Sequence, residues 1–351
     1  MPASRKSRSH SNSNPDPLRR IALVAMLIML VAAAALAWVW HTVHQPRGTS
    51  GTVNLLVEPG DSLRSVSEKI AQALDGEVDT QIIYGWARYQ QLDRYLRAGE
   101  FALTLPDSVA GLIRQVRTAR PVQHRLTLVE GWNWRDVLSA LSHAEALKKT
   151  SLPEDPVELA EVLNLRYPHA EGQFFPDTYF YTRGTTDRAL LKRAHERLIR
   201  ALDEVWQARE DNLPLKSSYE ALILASIIEK ETAWPEERRR IAGVFVSRLR
   251  KKMRLQTDPT VIYGLGVTFD GNIKRRHLND RSNPYNTYRH AGLPPTPIAM
   301  PGRASLEAAV HPEEDGSLYF VANKDGRHTF SRTLEAHNKA VRAYIRHQRT
   351  Q

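Results

Sequence analysis

The amino-acid sequence predicts an α+β protein: a single N-terminal transmembrane helix, then a small α+β subdomain, then a larger mixed α/β domain. Three observations carry that expectation. Ile21 to Trp40 is an uncharged apolar run, a strand, turn and helix pattern recurs three times after it, and helical periodicity dominates beyond residue 145.

The apolar run, IALVAMLIMLVAAAALAWVW, has the roughly 20 residues that a helix needs to cross a bilayer. Trp38 and Trp40 stand at its far end, where amphipathic rings favour the headgroup zone. Before it, Arg5, Lys6, Arg8, Arg19 and Arg20 face only Asp16, so residues 1–20 read as a cytoplasmic basic tail and everything after residue 40 as external. A cleaved signal peptide is the alternative, because Ala35, Leu36 and Ala37 form a small-x-small pattern. The run continues past that point and exceeds the usual ~7–15-residue signal core, which favours an uncleaved anchor in the cytoplasmic membrane. Either outcome puts the folded part in the periplasmic or extracytoplasmic space and weakens an intracellular nucleic-acid role for the basic charge; no nucleic-acid partner is expected.

At 351 residues the chain exceeds one domain of ~100–200 residues. A hydrophobic share of 42% and a charged share of 25% exclude a disordered chain and a multi-span membrane protein. The absence of cysteine excludes disulfides, thiolate metal sites and a cysteine nucleophile. A net charge of +10 favours an anionic partner, such as a phospholipid surface or an acidic wall polymer, or serves solubility alone.

Residues 41–52 read as a linker, with Pro, Gly and Ser between Gln45 and Gly51. The next stretch, TVNLLVEPGDSLRSVSEKIAQAL, reads as strand, turn and helix, with Asp61 or Ser62 as cap; GEFALTLPDSVAGLIRQV repeats the plan with Asp107 or Ser108, and RLTLVEGWNWRDVLSAL repeats it again. Within the first of these, VEPGDSLRSVSEKI is similar to the opening of a LysM module, which implies a glycan-binding LysM-like subdomain over residues 53–125. Residues 126–347 form the second domain. It opens with helices interrupted by EGQFFPDTYFYTRGTTD, whose aromatic residues read as core, with a sugar-stacking face as the sharper alternative.

In that domain Ser217 and Glu220 form a candidate capping box ahead of the helical run ALILASIIEKET. Leu224, Ile227, Ile228 and Glu231 share one stripe, so a carboxyl follows an apolar row, a setting that raises its pKa toward that of a general acid. Glu229 is the competing carboxyl, with Ala225 and Ser226 on its face and Lys230 and later arginines placed to hold it ionised. A solvated glutamate at a helix end remains the plain alternative. A second helix begins at Pro235, with Ile241, Val244, Phe245 and Leu249 as its core positions. Beyond it, LQTDPTVIYGLG and NPYNTYRHAGLPPTPIAMPG read as irregular, polar binding loops.

Taken together, EGQFFPDTYFY, ASIIEKETAWPEERRRIAGVFVSRLRKKMRLQTDPTVIYGLG, YNTYRHAGLPPTPIAMPG, AAVHP and LYFVANKDGRHTFSRTLEAHN resemble the endolytic murein transglycosylases of the MltG (YceG-like) family, from about Val53 to about Tyr344. The resemblance implies that Glu231, paired with Thr232 as in lysozyme-like lytic transglycosylases, is the catalytic acid. It implies cleavage of the MurNAc–GlcNAc bond of nascent peptidoglycan glycan strands, giving 1,6-anhydroMurNAc ends and ending glycan elongation. A peptidoglycan synthase is then a candidate partner. Gln256, Thr257, Asp258, Tyr263, Asn286 and Tyr288 are candidates for orienting sugar and acetamido groups, or for hydrogen bonds inside the loops. No cofactor is expected, and the 13 histidines show no metal-ligand spacing. Two rivals stay open: a muramidase using Glu231 with Asp258, and a non-catalytic, membrane-anchored wall-binding scaffold.

Overall fold

A computed structural model describes residues 17–348, so most of the basic tail lies outside the described residues. The described residues divide into two compact units, the first ending at Val122 and the second beginning at Gln123.

The first unit opens with α1 (Pro17–His44), the one helix among the described residues long and apolar enough to cross a membrane. Its apolar side chains from Leu18 to Trp40 are largely exposed, whereas Thr42 and Val43 enter the unit's core. Then come β1 (Arg47–Val57), α2 (Leu63–Ala73), α3 (Thr80–Tyr89), β2 (Gly99–Asp107) and α4 (Val109–Thr118). The two strands pair antiparallel, with Leu55 opposite Phe101 and Val57 opposite Gly99. Alternate residues Leu55, Val57, Phe101, Leu103 and Leu105 face a core completed by Val66, Ile70, Ile83, Leu112 and Val116. Ser62 caps α2 by accepting from the Ser65 amide, and Ser108 caps α4 by accepting from the Gly111 amide. Asp61 pairs with Lys69 instead, 2.6 Å away.

The expected linker is shorter than 41–52. Helix α1 runs through residues 41–44, and strand pairing begins at Arg47, opposite Asp107, with an irregularity before Gly51. Gly48 makes that irregularity possible, since its φ of +87° is unfavourable for other residues and a Cβ there would lie 3.2 Å from Leu105. Pairing to β2 overrides the loop-like composition.

The second unit contains β3 (His124–Thr127), α5 (Trp134–His143), α6 (Pro156–Leu163), β4 (Thr178–Tyr181) and α7 (Asp187–Gln207). It continues with α8 (Ser218–Glu231), α9 (Arg238–Arg250), α10 (Asp258–Leu265), α11 (Arg275–Asn279) and α12 (Arg303–Val310), then β5 (Tyr319–Ala322), β6 (His328–Ser331) and α13 (Leu334–Gln348). The third strand-turn-helix repeat, β3 with α5, belongs to this unit, and its strand pairs with β4. Phe174, Tyr179 and Tyr181 are core residues at that pair, and Phe180 alone among the aromatic residues of the stretch is exposed.

Helix α8 is the axis of the larger core. Residues 221–228 are buried on every side, packed by α7, α9 and α12 through Leu202, Ile241, Phe245 and Leu306. Burial all round, rather than along one stripe, explains why this helix lacks strong amphipathicity. Ser217 caps it by accepting from the Glu220 amide, while Glu220 reaches back to the Lys216 amide, one residue short of a full capping box. Pro235 opens a short 3₁₀ turn that leads into α9. The DPTVIYGL segment, expected to be irregular, is helix α10, because Asp258 and Pro259 suit a first helical turn and Gly266 ends it.

Candidate active site

Glu231 is the last residue of α8, and Thr232 leaves the helix in an extended conformation. The chain after it is pinned by side chains: the Thr232 hydroxyl accepts from the Trp234 amide at 3.0 Å, and the Trp234 indole donates to the Gly326 carbonyl at 3.0 Å. Glu237 accepts from the His328 amide at 2.9 Å and pairs with His328 Nδ1 at 2.7 Å. The β5–β6 hairpin is thereby fastened beside the end of α8.

A pocket of about 510 Å³ opens at that place, lined by Glu231, by Leu255 to Pro259, by Tyr288, by Tyr319 to Ala322 with His328, and by Leu334, His337 and Asn338. Buried Arg248 forms part of the wall and ties two sides together, donating to the Leu318 carbonyl at 2.7 Å and the Leu255 carbonyl at 2.7 Å.

The Glu231 residue is half-buried, but its carboxyl is enclosed by protein, and that desolvation pushes its pKa up to about 7. The charge of Asp258 adds to the rise; a hydrogen bond from Thr257 and the charge of Arg248 oppose it. Thr257 Oγ1 donates to Glu231 Oε1. That hydroxyl is held in place because the Thr257 carbonyl accepts from Thr260 Oγ1 at 2.8 Å and its amide donates to Thr287 Oγ1 at 3.1 Å. Glu229 has a different environment. Its carboxylate meets Arg238 at 3.4 Å and accepts from the Gly302 amide at 2.9 Å, which makes it a packing ion pair.

Of the six candidate substrate contacts, four gather at this pocket. Gln256, with a left-handed φ of 51°, is exposed at the rim; Thr257 bonds Glu231; Asp258 accepts from the Tyr288 hydroxyl at 2.7 Å. Tyr263 is elsewhere, in a neighbouring cavity with Arg135 and Lys230, where its hydroxyl bonds Glu171. Asn286 is fully buried and donates to the carbonyls of His277, Leu278 and Asp280 while accepting from the Tyr288 amide. Of the two roles open to each, Asn286 takes hydrogen bonding inside the loop that leads to Tyr288, and Tyr263 bonds Glu171.

The pocket also holds Arg248, Tyr319, His328, His337 and Asn338, which no local sequence signal marks as site residues although all five fall within the family-like segments. His337 stacks on Tyr319 at 5.2 Å, and its Nδ1 is buried without a partner among the described residues. Burial and Arg248 hold its pKa below the usual imidazole range, so the ring is neutral at pH 7. Glu171, at the head of EGQFFPDTYFY, carries no local sequence signal either. Its pKa rises to about 7 through burial, partly opposed by the Trp134 amide and Tyr263. It is fully buried and does not line the Glu231 pocket, so a raised pKa alone does not identify the acid.

A family model described as the YceG-like family matches residues 55–343. The endolytic murein transglycosylase of Bacillus subtilis is 39% identical over 182 residues, 52% of this chain and 49% of that protein. The endolytic murein transglycosylase of Streptococcus pneumoniae is 26% identical over 344 residues, 84% of this chain and 58% of that protein. The chain thus spans between 49% and 58% of these relatives' length. A YceG-like protein from Listeria monocytogenes, solved at 2.6 Å, is 29% identical, with a TM-score of 0.51 over 82% of this chain and 98% of that one.

Proposed function

The chain belongs to the YceG-like family, and from that membership and the Glu231 pocket we propose that it is a lytic transglycosylase acting on peptidoglycan glycan strands. The observation that carries the proposal is one carboxyl with a pKa of about 7 in an open pocket, able to give a proton and then take one near neutrality. Protonated Glu231 gives its proton to the oxygen joining C1 of MurNAc to GlcNAc. The C1–O bond breaks with its electrons on that oxygen. The resulting carboxylate removes the proton of the muramoyl 6-hydroxyl, whose oxygen bonds to C1 and closes a 1,6-anhydro ring. Glu231 ends protonated and no water is consumed. One carboxyl suffices because the nucleophile is intramolecular, whereas most glycoside hydrolases need two.

In this reading Thr257 orients the acid, and Gln256, Asp258 and Tyr288 meet the sugars. The α1 helix holds the enzyme in the cytoplasmic membrane with its N-terminus inside, next to nascent strands and the synthases that make them, so that its cuts end elongation. The first unit acts as a LysM-like glycan-binding module. Asp258 supports a second reading, a muramidase, because it shares the pocket and its charge acts on Glu231.

Mass spectrometry of digested, peptide-bearing glycan strands separates the readings. Anhydro ends, lighter by one water than reducing ends, are expected; reducing ends throughout would establish the muramidase, and uncut strands the scaffold.

A further inference from the structure

The first unit carries a second membrane-facing feature besides its helix. Trp40 closes the apolar run that begins at Ile21, a length that rises ~30 Å as a helix and matches the hydrocarbon core of a bilayer. When α1 spans, the Trp40 ring therefore lies at headgroup depth. The helix does not end there. It continues to His44 and buries Val43 in the core of the unit, so the folded module begins within one helical turn of the bilayer surface.

Helix α3 meets α1 at that level. The Trp86 ring is 5.9 Å from Trp40 and 5.3 Å from His44, and Tyr89 follows 5.2 Å from Trp86. Ring contact holds Trp86 within 5.9 Å of Trp40, and Tyr89 within a further 5.2 Å of Trp86, so both rings stay near that level. Tyr89 is 73% exposed, a large ring left uncovered where a water-facing surface gains nothing from it. Exposed Arg94 follows in the next turn, a long basic side chain of the charge that lipid phosphates attract.

We propose that the α3 edge of this unit, Trp86 and Tyr89 with Arg94, rests in the headgroup layer of the outer leaflet and docks the module flat on the membrane that α1 crosses. The inference rests on α1 spanning a bilayer, and its partner is the lipid surface.

The cysteine-free chain allows a direct test. Single substitutions Val31→Cys, Tyr89→Cys and Arg64→Cys each receive a nitroxide label in the full chain, reconstituted in phosphatidylethanolamine and phosphatidylglycerol vesicles. Val31 and Tyr89 are exposed, and Arg64 lies on the first turn of α2, beyond the end of β1 remote from α1, so the labels leave the core intact. Collision with oxygen, which concentrates in lipid, and with a water-soluble nickel chelate then reports depth. The Val31 label should collide with oxygen and not nickel, the Arg64 label the reverse, and the Tyr89 label should lose most of its nickel collisions. A Val31 label in the bilayer with a Tyr89 label as nickel-accessible as Arg64 would overturn the docking alone. A Val31 label open to nickel would overturn the spanning reading and the docking with it.

Discussion

Thr257 donates its hydroxyl hydrogen to the Glu231 carboxyl across 26 residues of chain, joining the end of α8 to the residue that precedes α10. A donated hydrogen bond favours the ionised carboxylate, so Thr257 lowers a pKa that burial and Asp258 raise. Catalysis that begins with protonated Glu231 should lose kcat/KM as pH rises through about 7. Thr257→Val should move that descending limb to higher pH, and Asp258→Asn to lower pH. Steady-state rates between pH 5 and 9 check this, and limbs that shift the same way would show that Glu231 is not the group being titrated.

The same shift has a consequence for stability. The folded pKa of about 7 lies above the ordinary value of 4.5, so the native state holds this proton more tightly than the unfolded chain. The resulting stabilisation is complete below pH 4.5 and is lost as pH rises through about 7. Glu231→Gln removes the dependence, so wild type should lose on the order of 3 kcal/mol relative to the variant between pH 4.5 and 8. Urea denaturation of both proteins across that range measures it.

Ser226 offers a prediction that does not involve activity. Its buried hydroxyl donates to the Ile223 carbonyl at 2.7 Å and accepts from the Ile298 amide at 3.0 Å, fastening the proline-rich loop to α8. Ser226→Ala leaves the Ile298 N–H unsatisfied, which should cost about 1–3 kcal/mol. A thermal melt with unchanged midpoint would contradict that.

Local chemistry was legible in the sequence; long-range pairing was not. Ser62, Ser108 and Ser217 act as caps because a cap bonds an amide two or three residues ahead, a relationship contained in the local sequence. The placement of Glu231 after Leu224, Ile227 and Ile228 follows from helical spacing in the same way. That Thr257 reaches Glu231 while Tyr263 and Asn286 turn to other partners depends on how α10 and the loop before Tyr288 fold, and neighbouring residues do not encode this. Arg47 joining a strand is of the same kind, since its partner Asp107 lies in β2. Glu171 and Glu231 show the limit from the other side: both carboxyls have raised pKa values, and only the pocket tells them apart.

The hairpin beside the pocket is held in part by a bond outside the pocket lining, from the Trp234 indole to the Gly326 carbonyl. Trp234→Phe keeps the ring over which Arg327 lies at 4.7 Å but loses the indole bond to Gly326. A neutral hydrogen bond of this kind contributes ~1 kcal/mol. The expected result is a KM several-fold higher with kcat little changed, since the wall formed by Tyr319 to Ala322 loosens while Glu231 and Thr257 stay in place. Equal losses in kcat would indicate that the hairpin positions the acid itself.

The two glutamates at the end of α8 give the sharpest separation of chemistry from packing. Glu231→Gln preserves the shape of the side chain and its ability to accept from Thr257, but the amide neither gives nor takes the proton. Loss of general acid and base action commonly costs about 10² to 10⁴-fold in rate, so turnover should fall to near background with glycan binding retained. Glu229→Gln changes charge equally, two residues away. There the carboxylate neutralises Arg238, whose side chain is 11% exposed, and the variant leaves that guanidinium without its nearest partner. Removing one side of a buried pair can cost up to ~3–5 kcal/mol, discounted here because Glu130 stands 4.0 Å from Arg238 and takes up part of the charge. Glu229→Gln should therefore melt at a lower temperature yet cut strands at nearly the normal rate while folded, and Glu231→Gln should melt normally near pH 5 and not cut. Calorimetry and strand-cleavage rates on the two variants, measured side by side, decide it. If Glu229→Gln abolished cutting while Glu231→Gln kept most of it, the acid would have to be reassigned.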